Sequence, residues 1–426
     1  MRRMKNTDIE WLGEIPDDWV LERLQWYLEE VNVSNNPVQT TQVLSLTNKL
    51  GVIPYEEKGT MGNKSKNNHS EYKLAYPDTI VANSMNVIIG SVGISKYFGC
   101  VSPVYYVFKA KNDANINIRF VNYIFQTVGF QKELRKYANG ILEIRLRISA
   151  SNILKRPVPI PKSQREQQRI VDYLDLKCEQ IDCLLADVQK QIDILYKYRE
   201  SVIAEAVTKG IAKEVTMASG RITWIKQMPE HWTVIPAKYL FHNSDERKHE
   251  GDEQLTASQK YGIITQQDYM ERENAQIVLA TQGLDNWKHV EPNDFIISLR
   301  SFQGGLEMSE ITGCITWHYV VLKASKPICH RFYKWLFKSA QYINALQGTC
   351  NFIRDGQDLR FSNFAQVPLF EPPLMEQEAI ADYLDMRCAE IDSLIERKMQ
   401  QMDTLEKYKK SLIYEYVTGK KEVPAV

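Results

Sequence analysis

A run of twelve residues, Val171-Asp172-Tyr173-Leu174-Asp175-Leu176-Lys177-Cys178-Glu179-Gln180-Ile181-Asp182, returns as Ala381-Asp382-Tyr383-Leu384-Asp385-Met386-Arg387-Cys388-Ala389-Glu390-Ile391-Asp392. Tyr173 and Tyr383 are 210 residues apart, as are Asp182 and Asp392, which is close to half of the 426-residue chain. Solenoid repeats recur every 20–50 residues or so, so a period this long marks a duplicated domain. A chain built twice presents two similar surfaces, and the question becomes what it binds twice.

Lys plus Arg number 53 and Asp plus Glu number 53, for a formal net charge of zero. Free-standing nucleic-acid binders are usually clearly basic. Neutrality therefore counts against autonomous, non-specific binding, but not against a specific reading face or a binder completed by partner subunits. No apolar run approaches the roughly 18 residues of a membrane span. The basic start, Met1-Arg2-Arg3-Met4-Lys5, lacks the apolar stretch of a secretion signal, so a cytoplasmic protein is expected. The 7 cysteines form no Cys-x-x-Cys pair and none lies near a histidine at finger spacing. They read as small buried apolar residues in a reducing compartment, and no metal site is expected.

Each half follows one plan: a long mixed segment with short β-like runs, then a long helix. Strands are expected at Asp78–Asn83 and Pro103–Ala110 from their β-branched and aromatic content, with counterparts at Asp294–Leu299 and Trp317–Ala324. Gly90-Ser91-Val92-Gly93 and Gln303-Gly304-Gly305 suggest turns or close backbone approach. The openings repeat as well: Trp11, Pro16 and Trp19 keep the spacing of Trp224, Pro229 and Trp232. Pro159-Ile160-Pro161 and Pro368 to Pro373 precede the two helices. Between these landmarks the halves diverge, as expected where one scaffold reads two different targets.

In the first helix Ile181, Val188, Leu195 and Val202 recur every seven residues, and in the second Ile391, Leu405 and Leu412 hold the same phase. That is a coiled-coil seam, interrupted at Lys398. Gly210 and Gly419 end the helices. A main helix of about 30–35 residues gives a rod of roughly 45–50 Å. Antiparallel pairing of the two helices is the simplest way to bury both seams; packing of each helix on its own domain is the alternative. The expected fold is α+β, with two globular mixed α/β domains, each followed by a long helix, and a pseudo-two-fold internal duplication. The expected boundaries are 1–160 and 213–372 for the globular domains, and 161–212 and 373–426 for the helical regions.

Catalytic motifs are missing from the sequence. There is no phosphate-binding Gly-x4-Gly-Lys-Ser/Thr loop, no Gly-x-Gly-x-x-Gly and no His-Glu-x-x-His helix. Ser102-Pro103-Val104-Tyr105 departs from the Pro-Pro-aromatic motif of DNA amino-methyltransferases at Val104. The 7 histidines are scattered. What remains is recognition. Lys64, Lys66, Asn67, Asn68 and His69 form a polar, basic loop suited to phosphates and adenine edges, or simply to solvent. Arg145 and Arg147 alternate as one face of a strand should, and Arg354, Gln357 and Arg360 fall near the equivalent place in the second half. Arg300, Ser301 and Gln303 form a further cluster. Arginine reads guanine and glutamine reads adenine through paired hydrogen bonds. Each of these residues could equally serve a structural bond; together they favour a polar reading surface on each domain.

The whole chain resembles the specificity subunits of type I restriction–modification systems. The resemblance rests on the helix-start signatures, Pro159-Ile160-Pro161-Lys162-Ser163-Gln164-Arg165-Glu166-Gln167 to Ile170 and Pro372-Pro373-Leu374-Met375-Glu376-Gln377 to Ile380, each followed by Asp-Tyr-Leu-Asp. The second copy matches the family's Pro-Pro-Leu-x-Glu-Gln-x-x-Ile closely, while the first departs from it before Glu166-Gln167. The resemblance implies two target-recognition domains, each reading one half of an asymmetric, interrupted double-stranded DNA site. It also implies helices that act as spacer and dock two modification (methyltransferase) subunits, with restriction subunits completing the nuclease. Spacer and docking residues are then expected among Glu166, Gln167, Tyr173, Ile181, Val188 and Leu195, and among Glu376, Gln377, Tyr383, Ile391, Leu405 and Leu412. S-adenosylmethionine, ATP and magnesium belong to the partners on this reading, and this chain is non-catalytic. The rod length agrees: at roughly 45–50 Å it exceeds one turn of B-DNA, about 34–36 Å, so two half-sites with an unread spacer are expected. A self-contained methyltransferase or nuclease, or a coiled-coil scaffold without DNA readout, are the competing readings.

Overall fold

A computed structural model describes residues 2–47, 51–59, 68–139, 146–274, 283–298, 301–349 and 359–424. The chain divides into two compact units, one formed by Met1–Gln189 with Gln400–Val426, the other by Lys190–Met399.

The first unit is built around a four-stranded antiparallel sheet. In spatial order its strands are Leu28–Glu30, Tyr105–Ala110, Ile80–Asn83 and Val92–Ile94. Side chains alternate across a strand, and here both faces are covered. Ile80, Ala82 and Phe108 join the main core with Trp19, Phe120, Ile124 and Phe125. Val81 and Val107 point the other way, into a smaller core with Leu44, Leu46, Val52 and Val101. Double-sided burial explains why Ile80-Val81-Ala82 is a continuous apolar run rather than an alternating one.

The second unit repeats the order with Phe241–Ser244, Val320–Ala324, Phe295–Ile297 and Glu307–Met308. Ile296 and Val321 face Leu255, Val290 and Ile315. On the other face Phe241 and Phe295 meet edge to face at 5.5 Å, and Phe337 packs on both. The strands are shorter than the sequence predicts. Trp317 and His318 form a turn before Val320, with their rings stacked at 3.6 Å. Arg147 makes an isolated bridge to Asn139 and belongs to no strand.

Two long helices follow the globular segments, α1 (Gln164–Lys209) and α2 (Leu374–Val417), of 46 and 44 residues. Their rise is about 69 and 66 Å, well beyond the length expected from the seam alone. The added length begins at the helix-start signatures, which are themselves helical. The N–H groups of Glu166 and Gln167 donate to Ser163, and those of Glu376 and Gln377 to Pro373, at 2.8–3.1 Å.

Within each unit the two helices run antiparallel. In the first, Tyr173 stacks on Tyr416 with ring centres 4.7 Å apart, and Lys409 reaches Asp182 at 2.6 Å. In the second, Arg199 meets Asp392 at 2.9 Å, and Gly210 lies against Glu376 and Trp232. Pairing and packing on a domain turn out not to be alternatives. Ile170, Val171, Leu174 and Ile181 of α1 share one core with Leu412, Ile413 and Val417 of α2 and with the globular residues of the first unit. Gly210 and Gly419 terminate their helices at φ +76 and +72, the left-handed conformation of a helix C-cap. Among the described residues no helix is long and apolar enough to cross a membrane.

Candidate nucleic-acid interface and helix anchors

The duplicated signature works first as an anchor. Gln167 is fully buried; its amide oxygen accepts the backbone N–H of Asn117 at 2.6 Å, and its amide nitrogen donates to Pro161 at 2.9 Å and Asn115 at 3.2 Å. Gln377, buried to the same degree, accepts from Cys329 at 2.9 Å and donates to Pro372 at 2.8 Å. Asn117 and Cys329 are the N-cap residues of Ile118–Gln126 and His330–Lys338. Each glutamine thus ties the first turn of a long helix to the start of a short helix in its own globular segment. Their polar atoms are spent inside the chain, so neither side chain offers the free docking contact expected from the sequence.

Glu166 accepts from Arg2 at 2.6 Å and from the Trp19 indole at 3.1 Å, and Glu376 pairs with His231 at 2.8 Å. Ile181, Val188, Ile391 and Leu412 are buried, while Tyr173, Leu195, Tyr383 and Leu405 are half-buried. The Asp-Tyr-Leu-Asp repeat contributes through a residue the sequence reading passed over, its last aspartate. Asp175 accepts from the Tyr123 hydroxyl at 2.7 Å and from Arg119. Asp385 accepts from the Trp335 indole at 2.8 Å and from Arg331 at 2.7 Å. The donors sit at matching positions of the two short helices, so the repeat is a clamp copied with one aromatic exchanged for another. Burial pushes the thiols of Cys178 and Cys388 up, which keeps them protonated and unreactive. Of the described cysteines Cys183 alone is exposed.

Of the residues expected to read DNA, Lys64, Lys66, Asn67, Arg145, Arg300, Arg354 and Gln357 lie outside the described residues. Asn68 is exposed, but its side-chain oxygen caps the turn at His69–Glu71 by accepting from the N–H and hydroxyl of Ser70. His69 is half-buried with its ring toward Tyr72. Arg147 is exposed, in a segment pinned where Tyr106 donates to Ile148 at 3.1 Å and Ile148 donates to Ser84 at 3.2 Å. Arg360 is exposed too and is the N-cap residue of the short helix Phe361–Phe364, whereas Arg147 lies three residues ahead of the short helix Ala150–Leu154, so both sit close before a short helix of their unit without occupying the same position. Gln303 is exposed. Ser301 is not available: it is 1% exposed, and its hydroxyl accepts the N–H of Ser298 at 2.8 Å. A small hydroxyl beside a tight turn more readily closes that turn than faces solvent.

Two exposed aromatics, Trp26 and Tyr239, were missed from sequence. Each stands two residues before the outer strand of its sheet, and they are 63% and 60% exposed. Their shared place became visible only once the strands were aligned.

Residues 30–184 match the type I restriction modification DNA specificity domain. Across 98% of its length the chain is 22% identical to a putative type I restriction enzyme MjaX specificity subunit of Methanocaldococcus jannaschii, covering 96% of that protein. Its fold is similar to a chain of a type I R-M system solved to explain complex assembly and conformational transition, with a TM-score of 0.69 at 12% identity, covering 96% of this chain and 99% of the other. It is also similar to the HsdS subunit of Thermoanaerobacter tengcongensis, with a TM-score of 0.51 at 12% identity, over 96% of this chain and 98% of that one. Residues 30–184 thus carry the sequence pattern of a type I restriction modification DNA specificity domain, and over nearly its full length the chain is similar in sequence to a putative specificity subunit and in fold to an HsdS subunit.

Proposed function

We propose that this protein reads a bipartite, asymmetric double-stranded DNA site, one half through residues of about 1–160 and the other through residues of about 213–372. The observation that carries this reading is the duplicated anchor: the same Gln, Asp and short-helix frame occurs twice, while the segments held on it differ. A repeated mount bearing different loops supports two readers of different sequence. Arg147 and Arg360, each exposed close before a short helix of its unit, are our leading candidates for base or phosphate contact. The helices α1 and α2, each longer than one turn of B-DNA, support an unread interval between the half-sites.

Two modification subunits dock on the helical regions on this reading, and restriction subunits complete the nuclease. S-adenosylmethionine, ATP and magnesium are then held by those partners, and the assembly acts in the cytoplasm of a prokaryotic cell. Neutral charge fits, because partners supply part of the phosphate clamp. The test exchanges residues 1–160 for those of a diverged relative and maps methylated adenines genome-wide. One half of a gapped motif should change and the other half should persist. A change in both halves, or robust methylation or cleavage by this chain alone, would overturn the proposal.

A further inference from the structure

In the second unit the residues following Phe241–Ser244 lie along the strand Lys288–Val290. Lys248 N–H donates to Trp287 and His289 N–H donates to Glu246, both at 2.9 Å, and Arg247 bridges Lys288. This register brings Glu246, His249 and His289 together, with one ligand-type atom from each within 4.8 Å of the others. Glu246 Oε1 is 3.0 Å from His249 Nε2, and the rings of His249 and His289 stack at 3.7 Å.

His289 is buried, and its Nδ1 lies 2.8 Å from Asp252 Oδ2, which also accepts the His249 backbone N–H at 2.7 Å. An ionised carboxylate only accepts, so Nδ1 is the nitrogen that donates to Asp252, which leaves Nε2 as the ring atom that can turn a lone pair to a metal ion. A carboxylate behind a histidine is the usual support of a metal-binding imidazole. Glu291 Oε1 is 3.9 Å from that Nε2. Lys323 approaches the group through the other carboxylate oxygens, Glu246 Oε2 at 3.5 Å and Glu291 Oε2 at 2.5 Å, and so leaves Glu246 Oε1 to the histidine side.

The first unit supplies a control written in the same fold. There Leu74 N–H donates to Val33 at 2.8 Å, and Asn35 N–H donates to Tyr72 at 2.8 Å, the same pair of bonds in the same order. Val33 and Leu74 stand where the second unit has Glu246 and His289. The frame therefore needs no polar pair here, and the second unit carries one backed by a buried aspartate.

We propose that Glu246, His249 and His289 bind a first-row divalent cation of the zinc type, which staples the 245–252 segment to the strand beneath the second recognition surface. Two imidazoles and a carboxylate suit zinc better than calcium or magnesium, which favour all-oxygen shells. Tetrahedral bonds of about 2.0–2.1 Å place ligand atoms about 3.4 Å apart, so the exposed Glu246 and His249 close by roughly an ångström onto the fixed His289. Cysteine spacing could not reveal such a site, because its ligands are two histidines and a glutamate brought together across a strand pair.

The test uses the untagged full chain, stripped with a chelator and titrated with Zn²⁺ alone by calorimetry, with bound metal counted by elemental analysis. One zinc per chain is expected, together with a higher melting temperature. His249→Ala and Glu246→Gln, both at exposed positions, should each weaken binding by about tenfold or more and leave the melting of the metal-free chain unchanged. His249→Cys, which restores a zinc ligand, should recover binding. Zinc affinity in His249→Ala and Glu246→Gln equal to that of the parent, or no stoichiometric binding by the parent, would overturn the proposal.

Discussion

The amide oxygen of Gln167, a fully buried side chain, accepts the backbone N–H of half-buried Asn117 at 2.6 Å, across a sequence gap of 50 residues. Gln167→Ala leaves that N–H and the Pro161 carbonyl without their partner. An unsatisfied buried polar group costs about 1–3 kcal/mol, so the variant should lose stability of that order in urea unfolding. Gln377→Ala should lose a similar amount through Cys329 and Pro372. Target sequence should be unchanged in both. Stability equal to the parent in either variant would remove the anchor assigned to these residues.

Lys409 with Asp182 and Arg199 with Asp392 are the same pair written twice, with the cation on the opposite helix each time. Both aspartates are more than half exposed, so each pair is worth no more than about 0.2–1 kcal/mol. Asp182→Lys should cost somewhat more, since it sets two ammonium groups against each other. Asp182→Lys with Lys409→Asp should regain most of that loss at low salt, with the difference shrinking as salt screens it. A double-mutant cycle in thermal unfolding measures it.

Much of the frame was legible in the sequence because it is periodic. The seven-residue stripe of Ile181, Val188 and Leu195 announces a helix, and the recurrence of Asp-Tyr-Leu-Asp announces the duplication. Helix length was underestimated because the Glu-Gln signature reads as an approach to the helix, whereas it forms the first turn. The role of Gln167 was illegible for a physical reason: a glutamine on a helix looks solvent-facing until the carbonyls around it are placed. Ser301 failed in the same way, and Glu246, His249 and His289 converge only through strand pairing.

Gly305 and Gly220 separate steric demand from backbone demand. Both hold positive φ, +78 and +74. A Cβ on Gly305 would fall 2.1 Å from the Phe337 carbonyl oxygen, whereas one on Gly220 meets nothing within 4 Å. Gly220→Ala should cost about 1–2 kcal/mol, the price of the left-handed conformation alone. Gly305→Ala should cost clearly more, because backbone must move as well. Comparable melting temperatures for the two variants would show that the region around Phe337 yields freely.

Ser301 and the two exposed arginines should behave oppositely. Ser301→Ala removes a buried hydrogen bond and should cost about 1 kcal/mol of stability while leaving the recognised sequence intact. Arg147→Ala should leave stability within about 0.5 kcal/mol and act on DNA, and Arg360→Ala, at the N-cap of Phe361–Phe364, should act on DNA as well. An arginine reading a base should lose about 1–3 kcal/mol of discrimination at one position of its own half-site, whereas one on a phosphate weakens all sequences alike and flattens the salt dependence. Binding of the assembled complex to a panel of half-site variants distinguishes these outcomes.

The repeat of 210 residues is thirty heptads, so inserting one heptad into each long helix keeps every seam residue in phase. Each insertion adds about 10 Å of rise, close to three base-pair steps of about 3.4 Å. If α1 and α2 set the distance between two readers, the unread interval should lengthen by about three base pairs while both half-sites keep their sequence. An insertion in α1 alone breaks the match between Asp182 and Lys409 or between Arg199 and Asp392, and should destabilise the chain instead of retuning it. Methylation mapping reads the interval directly, and an interval unchanged after the paired insertion would show that the helices hold the domains without measuring the gap.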